Sequence, residues 1–449
     1  MSRAEGNGVL PGPFDGITVV EIGQFVVVPV CAQQLAWGGA RVIKVEPPEG
    51  DNYRRSNQLS GNESRAYLAK NRAKESIALQ IGSDGADDVL RRLFAEADVV
   101  LVNMSPTATA RHGLDYESVR QHNPQIIHGS VAAFGHVGLE AALPGMDGVA
   151  QARSGLLFAL GAEDSAGVPH HSEVVAADYA AAMLLFGGVA TALFARERTG
   201  QGQKVEVSLL GGALALQGNA LIHLEEHDQW RREFVEEELP RCRSERRSPT
   251  EIESRREMFR PDKNERRRAT HRVIPTSDGY IAVAAGSQRL KNLLFELTGV
   301  DPTKAADLAG ITAGLDAAVG ARPTAHWITE LQRGGIPVAE VRHVDEMLFD
   351  EHAFAEGLIV EGEHPVIGPY RAFGPAVRLS GTPLEASAPS PRFACHTLPV
   401  LRELGYDDAQ IAVLASDRAV VLDELETSSS GAHTGGRTNL PHDKELRPT

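Results

Sequence analysis

Between Ile17 and Phe134 the chain alternates short β-branched runs with amphipathic helical stretches, a pattern that leaves few folds open. "ITVVEIG" (17–23), "RVIKVE" (41–46), "SIALQI" (76–81), "DVVLVN" (98–103) and "QIIHGSVAAF" (125–134) read as strands. Between them, "VCAQQLAWGG" and "YESVRQHN" read as helical, as does "SDGADDVLRRLFAEA", with Ser83 and Asp84 as cap candidates. This spacing predicts an α/β fold with a doubly wound parallel sheet and right-handed crossovers. Such a sheet takes its ligands at the carboxyl ends of its strands. "EIGQFVVVP" stands where a GxGxxG turn would follow the first strand, and no Walker A pattern occurs, so dinucleotide and nucleoside-triphosphate binding are disfavoured. Gly38-Gly39 suits a helix end running into the next strand.

The large domain is expected over 14–224, after a flexible start at 1–13. Its later part holds apolar helices at Met146–Leu160 and Ala176–Arg198, the turn "TGQGQ" (199–203), the strand "KVEVSLL" and a helix running to about Glu225. Residues 225–272 are dense in both charge signs and poor in aliphatics, as in a linker or exposed helical arm. A small α/β domain follows over 273–345. A segment over 346–423, with strands punctuated by Gly and Pro, returns to the large domain. The tail, 424–449, has a disordered composition.

With 42% hydrophobic and 23% charged residues among 449, the composition is that of a soluble globular protein. No apolar run looks long enough to span a bilayer, and the start lacks the pattern of a secretory signal. Three distant cysteines, Cys31, Cys242 and Cys395, suit a reducing cytoplasm and make neither a disulfide framework nor a metal site. A net charge of −15 opposes non-specific nucleic-acid binding. Arg54, Arg55, Arg65, Lys70, Arg72 and Lys74 nevertheless cluster, either as a solvated charged face or as a seat for a phosphate-bearing ligand.

One acid stands apart. Asp178 heads the apolar stretch "VVAADYAAAMLLFGGVATALFARERTG", and the next charge is Arg196. Near a helix start an aspartate can be a cap, satisfying orphan N–H groups. A desolvated carboxylate there is equally a candidate nucleophile or base.

In chain order, "GITVVEIG", "GGARVIKVEPPEGDNYRR", "NRAKESIALQI", "ADVVLVNMSP", "RHGLDYESVRQHNPQIIHGSVAAFG", "MDGVAQARSG", "AADYAAAMLLFGGVATALFARERTGQGQKVEVSLL", "PTSDGYIAVAAG", "GGIPVAEV" and "GPAVRLSGTP" resemble the family III CoA-transferases. These are the formyl-CoA and carnitine CoA-transferase, CaiB/BaiF-like group, which also contains 2-methylacyl-CoA racemases. The resemblance runs from about Phe14 to Leu404. It implies that Asp178 is the aspartyl nucleophile, that acyl-CoA and a carboxylic acid are the substrates with no permanently bound cofactor, and that the chain forms an interlocked homodimer. It further implies CoA contacts at Val26 and Val27 through the main chain, Leu79 beside the adenosine, and Asn103 and Arg111 near the nucleotide and phosphates. Met104 and His112 are implied as lining residues, although a lone histidine is more often structural.

Several positions depart from the family pattern. Val28-Pro29 replaces Gly-Pro, Pro47 and Gly82 stand where some relatives carry basic residues, and Trp37 takes a commonly acidic place. "AAGSQR" is a poor match to a glycine-rich flap. The racemase alternative needs a histidine in "GHD", but the matching residues are Gly145, Met146 and Asp147, and methionine cannot accept a proton. A second alternative is a catalytically silent CoA-binding protein.

Overall fold

The alternating segments assemble into one seven-stranded sheet in the computed structural model, which describes residues 11–161, 163–170, 174–260, 269–305 and 307–423. Its strands are β1 (Thr18–Ile22), β2 (Arg41–Glu46), β3 (Glu75–Leu79), β4 (Val99–Val102), β5 (Ile127–Ala132), β6 (Gln203–Ser208) and β7 (Val420–Val421). The order is β7-β3-β2-β1-β4-β5-β6, parallel throughout except that β7 runs antiparallel to β3. Val20 lies opposite Ile43 on one side and Val100 on the other. From β1 the chain winds outward through β2 to β3, then crosses back to β4. A topological switch point therefore opens between the carboxyl ends of β1 and β4.

Both faces of the sheet are covered, which is why its strands read as nearly continuous apolar runs. Val19, Leu101 and Ile127 join one core with helices α1 (Val27–Trp37) and α5 (Ala176–Thr199). Val20, Val100 and Ile77 face the other core, with α3 (Asp84–Glu96) and the C-terminal residues Val400, Leu404 and Ile411. Three further helices frame the site: α2 (Arg65–Asn71), α4 (Asp147–Ser154) and α6 (Leu209–Ala215). α6 stops ten residues before the expected end, and a 3₁₀ turn at Gly218–Leu221 follows.

Two sequence expectations need correction here. First, α5 spans 24 residues and is apolar enough to cross a membrane by length and composition. It is instead a core helix: Ala177, Ala181, Leu185, Val189 and Ala192 repeat at helical spacing and are buried. Its partner α6 approaches so closely that a Cβ on Gly212 would lie 2.7 Å from the Ala181 nitrogen and 2.8 Å from the Ala177 oxygen. Second, the basic cluster is not one solvated face. Arg54, Arg72 and Lys74 are buried, whereas Arg55 and Arg65 are exposed.

Contacts divide the chain into two compact units, residues up to Ile222 with those from Phe354 onward, and His223–Ala353. In the second, the hairpin of His271–Pro275 and Tyr280–Ala284 adds Val338–Glu340 to make a three-stranded antiparallel sheet. Its core joins Ile274, Ile281, Leu294, Leu315, Trp327 and Leu331. The charged stretch is helical at Gln229–Glu233, Leu239–Ser244 and Pro249–Phe259. The anticipated tail at 424–449, the first ten residues and positions 261–268 lie outside the described residues.

Candidate active site

The switch point is a real cleft. A space of about 360 Å³ is lined by Ile22, Gly23, Gln24 and Phe25 after β1, by Val45 and Pro47 after β2, by Leu79 and Gln80 after β3, and by Asn103 after β4. Gly23 lets the chain turn tightly there, because a Cβ would lie 2.4 Å from the Val28 side chain. The next residues are held by Asn103. Its side-chain amide donates to the Gln24 carbonyl at 2.7 Å, and its oxygen accepts from the Gln24 N–H at 3.1 Å. That clamp helps hold Phe25 at φ 68°, a left-handed conformation rare for a bulky residue. The Gln24 side chain in turn accepts from the Asn52 side chain at 2.8 Å. Neither Gln24 nor Asn52 was singled out from the sequence, where both lie inside longer stretches with no chemical signal of their own.

The candidate CoA contacts fall in three groups. Leu79, Asn103, Met104 and His112 all line the cleft. Val26 and Val27 are buried at the start of α1, so only their main chain is available, and the first amides of a helix lack intrahelical acceptors. Arg111 does not line the cleft; it ends the helix Pro106–Arg111 and contacts the His112 ring at 3.0 Å.

Asp178 sits in the first turn of α5, 8% exposed, and is not the cap: Val175 holds that position and makes no side-chain cap bond. The capping acceptor comes from another helix. The Asp178 N–H donates to Asp147 Oδ1 at 3.0 Å, from the first residue of α4. Gln151, one turn further along α4, donates to the other Asp147 oxygen and to the Val174 carbonyl. Two carboxylates are thus held side by side in a desolvated corner. Burial and the neighbouring Asp147 push the Asp178 carboxyl up to about 7, and the Lys70 ammonium offsets this only in part. A helix N-terminus alone would keep the acid ionised; here desolvation and like charge win.

Tyr53 connects this corner to the cleft. It is half-buried within electrostatic reach of Asp178, and its ring packs edge-on against Phe25 with centroids 5.6 Å apart. Lys70, on α2, places its ammonium 4.9 Å from the Tyr53 ring centroid. A buried carboxylate, a neighbouring acid, a cation and an aromatic ring therefore lie together near a cleft at a sheet switch point. Met146 is the N-cap of α4 and 56% exposed, and His170 is exposed. His136 is tied to the Val207 carbonyl and lies near Glu206, on β6.

Comparison with known proteins gives the family. The family model for CoA-transferase family III matches residues 14–397. Acetyl-CoA:oxalate CoA-transferase of Acetobacter aceti is 29% identical over 75% of this chain and 82% of its own length. Succinyl-CoA:glutarate CoA-transferase of Homo sapiens is 27% identical over 92% of this chain and 91% of its own. Among solved structures, a CAIB/BAIF family protein from Brucella suis superposes with a TM-score of 0.69 at 27% identity, covering 88% of this chain and all of that one. The chain belongs to CoA-transferase family III, and its activity is that of a CoA-transferase.

Proposed function

We propose that the chain moves CoA from an acyl-CoA to a carboxylic acid through covalent intermediates on Asp178. The observation that carries this reading is the burial of Asp178 beside Asp147, next to Tyr53 and the cleft, without a direct cation partner among the described residues. An Asp178 oxygen attacks the thioester carbonyl, the C–S bond breaks, and CoA leaves as the thiolate. The product is a mixed anhydride. The thiolate then attacks the aspartyl carbon, releasing the donor acid and leaving CoA as an aspartyl thioester. The acceptor carboxylate attacks that thioester, expels the thiolate and forms a second anhydride. Attack of the thiolate on the new acyl carbon yields the product and regenerates Asp178. A thiol pKa of about 8.5 makes the thiolate a tolerable leaving group without a strong general acid. The apolar surroundings protect both anhydrides from water.

CoA is a substrate in this scheme, not a resident cofactor. We assign its adenosine end to the cleft, with Leu79, Asn103, Met104 and His112 as lining residues and Arg111 beside them. We place the protein in the cytoplasm, where widely spaced cysteines stay reduced. We read its assembly as a homodimer, because one face of α5 exposes Tyr179, Met183, Leu184 and Phe194, a run of apolar surface that suits a protein partner. The racemase alternative loses ground, because Met146 has no proton to exchange and His136 is engaged on β6. The deciding experiment is peptide mass mapping after exposure to a small acyl-CoA panel and quenching with hydroxylamine. A hydroxamate on Asp178 is the expected result. CoA binding with no adduct from any donor would instead favour a silent binder.

A further inference from the structure

Among the described residues, Lys70 is a cation without a matching anion. The other buried cations of its neighbourhood have strong partners: Arg72 donates to the Phe373 and Ala386 carbonyls, and the rest pair with acids. Lys44 pairs with Glu21 and Asp51 at 2.9 Å each, Lys74 with Glu21 at 2.6 Å, and Arg54 with Glu46 and Glu63 at 2.7 and 2.8 Å. Lys70 is half-buried, and among the described residues it has no direct ion pair. Its one hydrogen bond reaches the Ala66 carbonyl at 3.4 Å, a weak contact within its own helix. An ammonium carries three donors and is costly to desolvate unpaired. It stands over Tyr53, at the corner where Asp178 and Asp147 hold two carboxylates together.

An anionic substrate group entering that corner meets repulsion from both acids, and Lys70 is a cation whose charge reaches Asp178. A monocarboxylic acceptor brings one carboxylate, which must face the Asp178 intermediate to react. A dicarboxylic acid brings a second, and that group needs its own counter-charge. We propose that Lys70 binds the non-reacting carboxylate of a dicarboxylic acid and so selects short-chain diacids over monoacids of equal length. This rests on the reading of Asp178 as the reacting group, since it deepens the specificity of the same site. The lack of a direct ion pair among the described residues leaves the Lys70 charge available to a substrate acid. The ring of Tyr53 holds the ammonium in place by cation–π attraction while the site is empty.

The test is calorimetric titration of succinate and glutarate against butyrate and valerate, on protein saturated with CoA, for the wild type, Lys70→Met and Lys70→Arg. The wild type is expected to bind each diacid at least about tenfold more tightly than its monoacid, consistent with a charge-assisted hydrogen bond. Lys70→Met should erase that preference while leaving monoacid binding within about threefold, and Lys70→Arg should keep part of it. Absence of a diacid preference in the wild type overturns the proposal, as does a preference that survives Lys70→Met or no binding of any of the four acids. Hydroxylamine trapping on the Lys70→Met protein separates the two readings. A hydroxamate on Asp178 with an unchanged acid preference sinks only the role of Lys70. Loss of the adduct from the wild type as well sinks the covalent scheme.

Discussion

Two clusters of buried carboxylates lie in the same unit, and they are built on opposite principles. Around Arg54, every acid has a partner. Glu46 takes Arg54 on both oxygens, the Tyr67 hydroxyl at 3.0 Å and Ser76 at 2.6 Å. Burial pushes the Glu46 carboxyl up, but the Arg54 charge and hydrogen bonds, Lys44 and Ser76 outweigh it and hold the group down at about 2. Around Asp178, burial and Asp147 push the same way, and Lys70 answers only in part. Matched acids brace the inner strands of the sheet, whereas an acid left without a matching charge costs the fold and is a candidate reactive group.

The largest effect should come from breaking the reactive side. On the proposed mechanism Asp178→Asn removes the nucleophile and should lower CoA transfer on the order of 10⁴-fold or more, as loss of a covalent group does elsewhere. The same substitution removes a desolvated carboxylate, so urea unfolding should show stability equal to or above wild type. A variant that loses stability along with activity would make Asp178 a structural acid. Arg54→Met is the mirror image. It strands Glu46 and Glu63 without their cation and should cost about 3–5 kcal/mol in urea unfolding. A neutral outcome would show that hydroxyl partners suffice.

How much of this was legible in the sequence follows from the same contrast. The strands stood out because strands buried on both faces must be apolar throughout, and six of the seven were found; β7, two residues long after a helical stretch, was too short to signal itself. Asp178 stood out because it is a lone acid in an apolar helix, a local anomaly. The matched cluster was hidden for the opposite reason. Glu21 and Lys74 are 53 positions apart and meet only because β1 and β3 flank β2, so the basic run looked like a surface. Asp147 was noticed only as the remnant of an absent motif. Its signal was an acid in the first turn of a helix, which on its own reads as a cap. The cap was real, but for a different helix.

Acid titration sharpens the comparison further. The Glu46 carboxyl lies at about 2 in the fold against an ordinary 4.5, so its stabilisation is present above pH 4.5 and is lost as pH falls toward 2. The difference corresponds to about 3 kcal/mol. Urea midpoints between pH 5 and 3 should fall in the wild type and fall less steeply in Glu46→Gln. Glu63 runs the other way within the same cluster. Burial lifts it to about 7, Arg54 pulls it down and Glu46 pushes it up. Its folded value exceeds its ordinary one, so its contribution weakens as pH rises from about 4.5 to about 7. Arg54 pairs with both acids, but at Glu63 burial outweighs the pairing.

The smallest change, and the finest test of the reactive corner, is Asp147→Asn. An amide oxygen can still accept the Asp178 N–H, so the α5 start keeps its cap while the like charge disappears. Only the ionised carboxylate attacks a thioester. The wild-type acylation rate should therefore rise with pH through about 7 and level off above it. Without the Asp147 charge, desolvation alone holds Asp178 up, and the rise should move to lower pH. At pH 6 the variant then gains ionised nucleophile, whereas at pH 8.5 both proteins are fully ionised and their rates converge. Single-turnover trapping of the Asp178 hydroxamate across pH 5–9 reads this directly. A uniform loss at every pH would mean that Asp147 acts through position alone, and the two carboxylate clusters would then differ in geometry, not in charge.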